Sequence, residues 1–129
     1  DVAGAGGTSW SEIEGCRAHT KVGANIDRSF ASWGIPTAES IEMVKRSAPE
    51  VTLVASGGIR TGLDVAKAIA LGADAASIGL PLLKAANISA DAVATFLREI
   101  IEELRFSMFC IGARNLGQLR DSPFLRKKV

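Results

Sequence analysis

An apolar, β-branched run, Val51-Thr52-Leu53-Val54-Ala55, gives way to Ser56-Gly57-Gly58-Ile59-Arg60-Thr61-Gly62 and then to the helical pattern Leu63-Asp64-Val65-Ala66-Lys67-Ala68-Ile69-Ala70-Leu71. Such a segment reads as strand, glycine turn and helix. Paired glycines bring backbone amides close to a ligand with no Cβ in the way, and the following helix aims its first N–H groups in the same direction. Thr61 is predicted to cap that helix, with Asp64 in the position of a capping-box acid. A phosphate suits this arrangement, although the same glycines also serve a tight βα turn that binds nothing.

A second turn of the same kind follows. Gly72 suits the residue just past a helix, and Ala75-Ala76-Ser77-Ile78 reads as a small-residue strand ending in Gly79-Leu80-Pro81. At the start, Asp1-Val2-Ala3 has the look of a strand's last residues, followed by the glycine-rich Gly4-Ala5-Gly6-Gly7-Thr8-Ser9-Trp10. That turn only loosely matches G-x-G-x-x-G, and no acidic residue ends a second strand about 20 residues later, so a dinucleotide fingerprint is not supported. Ser11 to Asn25 is predicted to form a short helix leading into a flexible loop. After the Gly34 and Pro36 stop, Thr37 is predicted to cap a helix over Ala38 to Ser47, with Ile41, Val44 and Ala48 on one face and Pro49 ending it. Ser89 caps a long helix in which Val93, Phe96, Leu97, Ile100, Ile101, Leu104, Met108 and Ile111 form a core stripe ending at Gly112. Asn115 starts a last short helix, and Arg126-Lys127-Lys128 reads as a solvated end.

A chain of 129 residues with 47% hydrophobic content and a formal charge of +1 reads as a soluble domain or part of one, not as a disordered or nucleic-acid-binding segment. Cys16 and Cys110 fit neither a disulfide framework nor a metal-ligand spacing, which makes a reducing, cytoplasmic compartment the default. There is no apolar stretch of membrane-spanning length and no leader-like amino end. His19 has no positioned second group for acid–base work and reads as a loop or surface residue.

Strands apolar on both faces belong to parallel sheets covered by helices. In a (β/α)8 barrel the loops after strands seven and eight, with a short extra helix, often build a phosphate site. Gly57-Gly58 and Gly79-Leu80 follow two consecutive strands here, and Pro81-Leu82-Leu83-Lys84 can form the extra turn. Four segments then carry a family resemblance in this order: Val2-Ala3-Gly4-Ala5-Gly6-Gly7-Thr8-Ser9-Trp10, Trp33-Gly34-Ile35-Pro36-Thr37, Ser56-Gly57-Gly58-Ile59-Arg60-Thr61-Gly62-Leu63-Asp64 and Gly112-Ala113-Arg114-Asn115. Together they resemble the carboxyl-terminal part of the type 2 isopentenyl-diphosphate isomerases. Each alone is shared with other flavin-binding barrels, such as inosine-monophosphate dehydrogenase and the 2-hydroxy-acid oxidases.

The resemblance implies an α/β fold in which residues 1–129 form the carboxyl-terminal part, about strands 6 to 8, of an FMN-binding TIM barrel. It implies a cytoplasmic, homo-oligomeric enzyme that interconverts isopentenyl and dimethylallyl diphosphate by a 1,3 proton shift without net redox. FMN reduced by NAD(P)H and a magnesium ion (Mg2+) are the expected cofactors. Carried over by residue, Thr8 contacts the flavin and Ala3 lies near it through its backbone. Gly57, Gly58, Ile59 and Arg60 hold the FMN phosphate, and Gly79 and Leu80 complete the cradle. Ala3 stands where the family often has Ser, which removes a hydroxyl. The family's substrate-binding, metal-binding and flavin-approaching residues come from amino-terminal strands absent from this chain, so no catalytic or metal-binding residue is assigned to it. A closed barrel takes about 250 residues, and an association with the missing amino-terminal half follows as an expectation. The alternatives are part of another FMN-dependent oxidoreductase, for which neither an active-site Cys loop nor a His–Arg pair is found, and a phosphate-binding half-barrel without chemistry.

Overall fold

A computed structural model describes residues 1–17, 20–120 and 122–124; His19 and the basic run at 126–128 lie outside the described residues. The elements run β1 Val2–Ala3, α1 Trp10–Arg17, α2 Lys21–Ser29, α3 Thr37–Ser47, β2 Val54–Ser56, α4 Gly62–Ala70, β3 Ala75–Ala76, α5 Leu80–Ala86, α6 Ala90–Cys110 and α7 Leu116–Arg120. Hydroxyl and amide caps set most of these boundaries. Thr61 Oγ1 accepts from Asp64 N at 3.1 Å while Asp64 Oδ2 accepts from Thr61 N at 3.1 Å, which is the expected capping box. Ser89 Oγ accepts from Ala92 N at 3.0 Å, and Asn115 Oδ1 from Gln118 N at 2.9 Å. After α4, Gly72 N bonds Ile69 O and Ala73 N bonds Ala68 O, closing the helix end and turning the chain toward β3.

Two expectations fail here. The stretch over 11–25 holds most of two helices, not a helix and a loop, because hydroxyls start both: Ser9 Oγ accepts from Glu12 N, and Thr20 Oγ1 accepts from Gly23 N at 3.1 Å. Thr37 is the first residue of α3 and caps nothing. The cap position is Pro36, which has no side-chain acceptor to offer, and the Thr37 hydroxyl is drawn across to the Gly57 carbonyl at 2.5 Å.

The three strands form one parallel sheet in the order β1-β2-β3, with Val2 opposite Ala55 and Ala55 opposite Ala76. Pairing runs past the strand ends through Gly4 N to Ser56 O at 3.2 Å and Ser77 N to Ala55 O at 2.8 Å, which brings the turns after all three strands side by side. Ile41 of α3, Ala68 of α4 and Ala73 pack with Leu53, Ala55 and Ile59 on the sheet side. A second cluster joins Ala66 and Ile69 of α4 to Leu119 of α7, with Leu104, Met108 and Ile111 from α6 and its end against it. The α6 stripe is less enclosed than its spacing predicted: Leu104, Met108 and Ile111 lie half-buried against this cluster, but no residue of α6 is fully buried and Leu97 and Ile101 are exposed.

One carboxylate organises the amino end of the sheet. Asp74 Oδ2 accepts from Leu53 N at 2.8 Å and from Lys45 Nζ at 2.9 Å, and Asp74 Oδ1 accepts from Arg120 Nη2 at 2.9 Å. It thereby ties α3, the approach to β2 and α7 to one point. The Leu53 backbone N–H first, and then Lys45, hold its carboxyl below the usual carboxylate range. Because the folded value is depressed, the stabilisation is complete above the unfolded value of about 3.9 and is lost as pH falls through the folded one. Asp74→Asn is expected to unfold at a lower urea concentration than the unsubstituted chain at neutral pH, with the gap narrowing below about pH 4. A gap that is unchanged at strongly acid pH would show that Asp74 holds the sheet by something other than its charge.

Candidate functional site

The carboxyl ends of adjacent parallel strands are where the sequence placed its two glycine cradles, and the register brings them together. At the end of β2 the chain turns through Gly57 (φ 91°) and Gly58 (φ 85°), a region that residues with a Cβ rarely adopt. The reason is packing. A Cβ on Gly57 would overlap the Gly4 carbonyl oxygen, and one on Gly58 would overlap that of Gly6. The glycines therefore let the turn after β2 interlock with the turn after β1, and their hydrogen faces are spent on that neighbour. What they can offer a ligand is amides: those of Gly57, Gly58 and Ile59, and those of Gly79 and Leu80 after the neighbouring strand, donate to no other group of the described chain.

Ile59 takes part through its backbone alone, since its side chain is buried in the core beneath the turn. Arg60 is exposed, and its guanidinium lies over both turns, with Nη1 3.5 Å from Gly58 O and Nη2 3.5 Å from Gly6 O. It makes no ion pair among the described residues. A guanidinium without an acidic partner above a row of unbonded amides can take an anion with several oxygens, such as a phosphate monoester.

The α4 amino terminus behaves differently from expectation. The amides of Arg60 and Thr61 donate to Asp64 Oδ2 at 3.2 and 3.1 Å, and Gly62 N donates to Glu103 Oε2 at 2.5 Å. Two carboxylates thus occupy donors that an anion would otherwise use, and the cradle is the turn itself. Glu103 was invisible to sequence reasoning because its partner lies 41 residues away and its neighbours read only as one face of a long helix.

The site residues fall into separate places. Gly57, Gly58, Ile59 and Arg60 line a cleft of about 330 Å³ between α3 and α4. Ala3 and Thr8 line a larger one of about 830 Å³, walled by Trp10, Phe30 and Trp33, with the Phe30 and Trp33 rings edge to face at 5.7 Å. Ala5 and Gly6 border both clefts. Gly79 and Leu80 line neither; Gly79 sits at the amino end of α5 with open space around it. Among the described residues no three His, Cys, Asp or Glu side chains gather where they could hold a metal, and no helix is long and apolar enough to cross a membrane.

Comparison with known proteins agrees with this architecture. Residues 28–127 match the family described as FMN-dependent dehydrogenase. An isopentenyl-diphosphate delta-isomerase of Nostoc sp. (strain PCC 7120) is 50% identical over 127 residues, which is 98% of this chain and 36% of that protein. One of Mycobacterium marinum is 54% identical over 121 residues, 94% of this chain and 34% of that protein. The chain thus spans about a third of the length of these curated relatives. Among solved structures, mandelate oxidase with (S)-2-phenylpropionate superposes with a TM-score of 0.64 at 34% identity, over 67% of this chain and 27% of that one. A mandelate oxidase mutant with (S)-mandelic acid superposes over 95% of this chain and 44% of its own, with a TM-score of 0.66 at 26% identity.

The interlock of the two glycine turns sets a stability test. Gly58→Ala is expected to destabilise the chain by about 1–3 kcal/mol, the cost of a side chain in a left-handed backbone, with the steric overlap at Gly6 added. Chemical denaturation measures it, and an unchanged midpoint would mean that the two turns separate freely.

Proposed function

We propose, for a chain that belongs to the FMN-dependent dehydrogenase family, that it supplies the FMN-phosphate site of an isopentenyl-diphosphate isomerase. The observation that carries this reading is the set of unbonded amides at Gly57, Gly58 and Ile59 in one cleft with an Arg60 guanidinium that has no acidic partner among the described residues, with the unbonded amides of Gly79 and Leu80 following the neighbouring strand. These groups fit a phosphate monoester. Thr8 and the Ala3 backbone, in the adjoining larger cleft, are assigned to the rest of the flavin. When reduced and bound, the flavin would supply the acid–base chemistry of a 1,3 proton shift between isopentenyl and dimethylallyl diphosphate. This chain's own contribution is to bind and orient it.

The strands correspond in this reading to about strands 6 to 8 of a (β/α)8 barrel, and residues 1–129 form its carboxyl-terminal part. Support comes from the sheet edges, since among the described residues β3 has no strand on its outer side and β1 has only an isolated bridge from Ala5 to Pro36, and from apolar side chains left in the open, including Trp10, Trp33, Ile88 and Phe109. An uncovered parallel sheet edge with apolar surroundings is costly and calls for further strands and helices. Those missing strands bring the groups that bind the substrate diphosphate and magnesium, with NAD(P)H as the reductant of a cytoplasmic homo-oligomer. The structural likeness to mandelate oxidase keeps an oxidase in view, but identities of 50% and 54% with isomerases, against 34% with the oxidase, favour the isomerase.

Two measurements test the reading. In the assembled enzyme, with this chain joined to the remaining strands, Arg60→Ala is expected to weaken FMN about 10- to 100-fold while riboflavin, which lacks the phosphate, is held as before. Equal losses for both flavins would remove Arg60 from the phosphate. Separately, the reduced, flavin-loaded assembly is expected to convert isopentenyl diphosphate to dimethylallyl diphosphate with magnesium present. A loaded protein that oxidises a 2-hydroxy acid instead would overturn the isomerase assignment.

A further inference from the structure

We propose that Glu103 is a positioning residue for the phosphate cradle, acting from α6 through the amino end of α4; the inference rests on the phosphate reading given above. Three observations carry it. Glu103 Oε2 accepts at 2.5 Å from the backbone N–H of Gly62, the first residue of α4 and two residues beyond Arg60. Gly62 is buried against α6 so tightly that a Cβ there would overlap the Ile100 carbonyl oxygen and come within 2.5 Å of Glu103 Cβ. And α6 packs against both helices that spring from the two cradle turns, α4 and α5.

The consequence is mechanical as well as electrostatic. The segment 57–62 is held at its start by the interlock with the turn after β1 and at its end by two carboxylates, of which Glu103 comes from another helix. Between those points the amides of Gly57, Gly58 and Ile59 stay unbonded and fixed in place, so an anion meets donors that need no rearrangement. Asp64 takes the Arg60 and Thr61 amides in the same way, but it belongs to α4 itself and moves with that helix. Glu103 instead ties the first amide of the helix to a second element by a hydrogen bond, at the end of α4 nearest the turn, while the apolar contacts of Ala66, Ala68 and Ile69 hold the helix further along. By charge alone a carboxylate near the cradle would weaken anion binding, so positioning and Coulomb repulsion predict opposite signs for its removal.

The test is flavin affinity in the assembled enzyme, measured with FMN and with riboflavin for Glu103→Ala and Glu103→Gln. Under the proposal E103A binds FMN about tenfold more weakly with riboflavin affinity unchanged within about twofold, and E103Q, which keeps an oxygen acceptor for the Gly62 N–H, recovers most of the loss. Should E103A fail to fold, Glu103→Asp keeps the charge but draws the oxygen back by one methylene, and is expected to lose FMN against riboflavin in the same way. Parallel losses for both flavins would reduce Glu103 to a purely structural contact and overturn the proposal. Tighter FMN binding in E103A and E103Q would overturn it too, in favour of simple repulsion. If the unsubstituted enzyme itself holds FMN no better than riboflavin, the phosphate reading fails and takes this inference with it, an outcome visible before any variant is made.

Discussion

The backbone of the turn after β2 lies directly on the backbone of the turn after β1, with Gly57 against Gly4 and Gly58 against Gly6. No side chain could occupy either glycine position without parting the two strands at their carboxyl ends. The Thr37 hydroxyl, bonded to Gly57 O, fastens α3 to the same point, and the bond from Ala5 N to Ile35 O at 2.8 Å brings the segment before α3 alongside. With these contacts made, the amides of Gly57, Gly58 and Ile59 are left without a bond in the described chain. The candidate site is thus a by-product of how the layers close.

The two ends of the sheet treat charge in opposite ways. At the amino ends, Lys45 and Arg120 both pair with Asp74, which also satisfies a backbone amide, so each cation there has an acidic partner. At the carboxyl ends, the α4 amides are given to Asp64 and Glu103, while Arg60 keeps only long contacts to two carbonyl oxygens. A cation paired with a carboxylate is spent on stability; one without an acidic partner is left available to an anion. This separation of stabilising and binding ends is the one known for parallel α/β barrels.

Local chemistry made much of this legible in the sequence. Thr61 with Asp64, Ser89 and Asn115 act within three residues of themselves, and each was read correctly as a helix start. The parallel order of the strands followed from apolar runs alternating with helical ones. Long-range pairing was illegible. Thr37 looked like a cap because nothing nearby announced Gly57, 20 residues on, and nothing beside Asp74 announced its ion pairs because Lys45 and Arg120 lie 29 and 46 residues away. Ile59 shows the same limit: it sits among the candidate cradle residues in sequence, yet its side chain belongs to the core, which leaves only its amide to face a ligand.

The attachment of α7 has an implication for how the chain is made. Leu119 is buried against α4, and Arg120 reaches Asp74 at the beginning of β3, yet both follow the whole of α6 in sequence. During synthesis, therefore, β3 and its two neighbours emerge with the Asp74 carboxylate only half satisfied, held by Lys45 and the Leu53 amide from segments already made. The last clasp arrives from a segment 46 residues downstream, so the sheet's amino end locks late while the glycine interlock at its carboxyl end, complete once residue 58 has emerged, locks early. The end that carries the candidate site has its contacts to hand before the end that holds the sheet together.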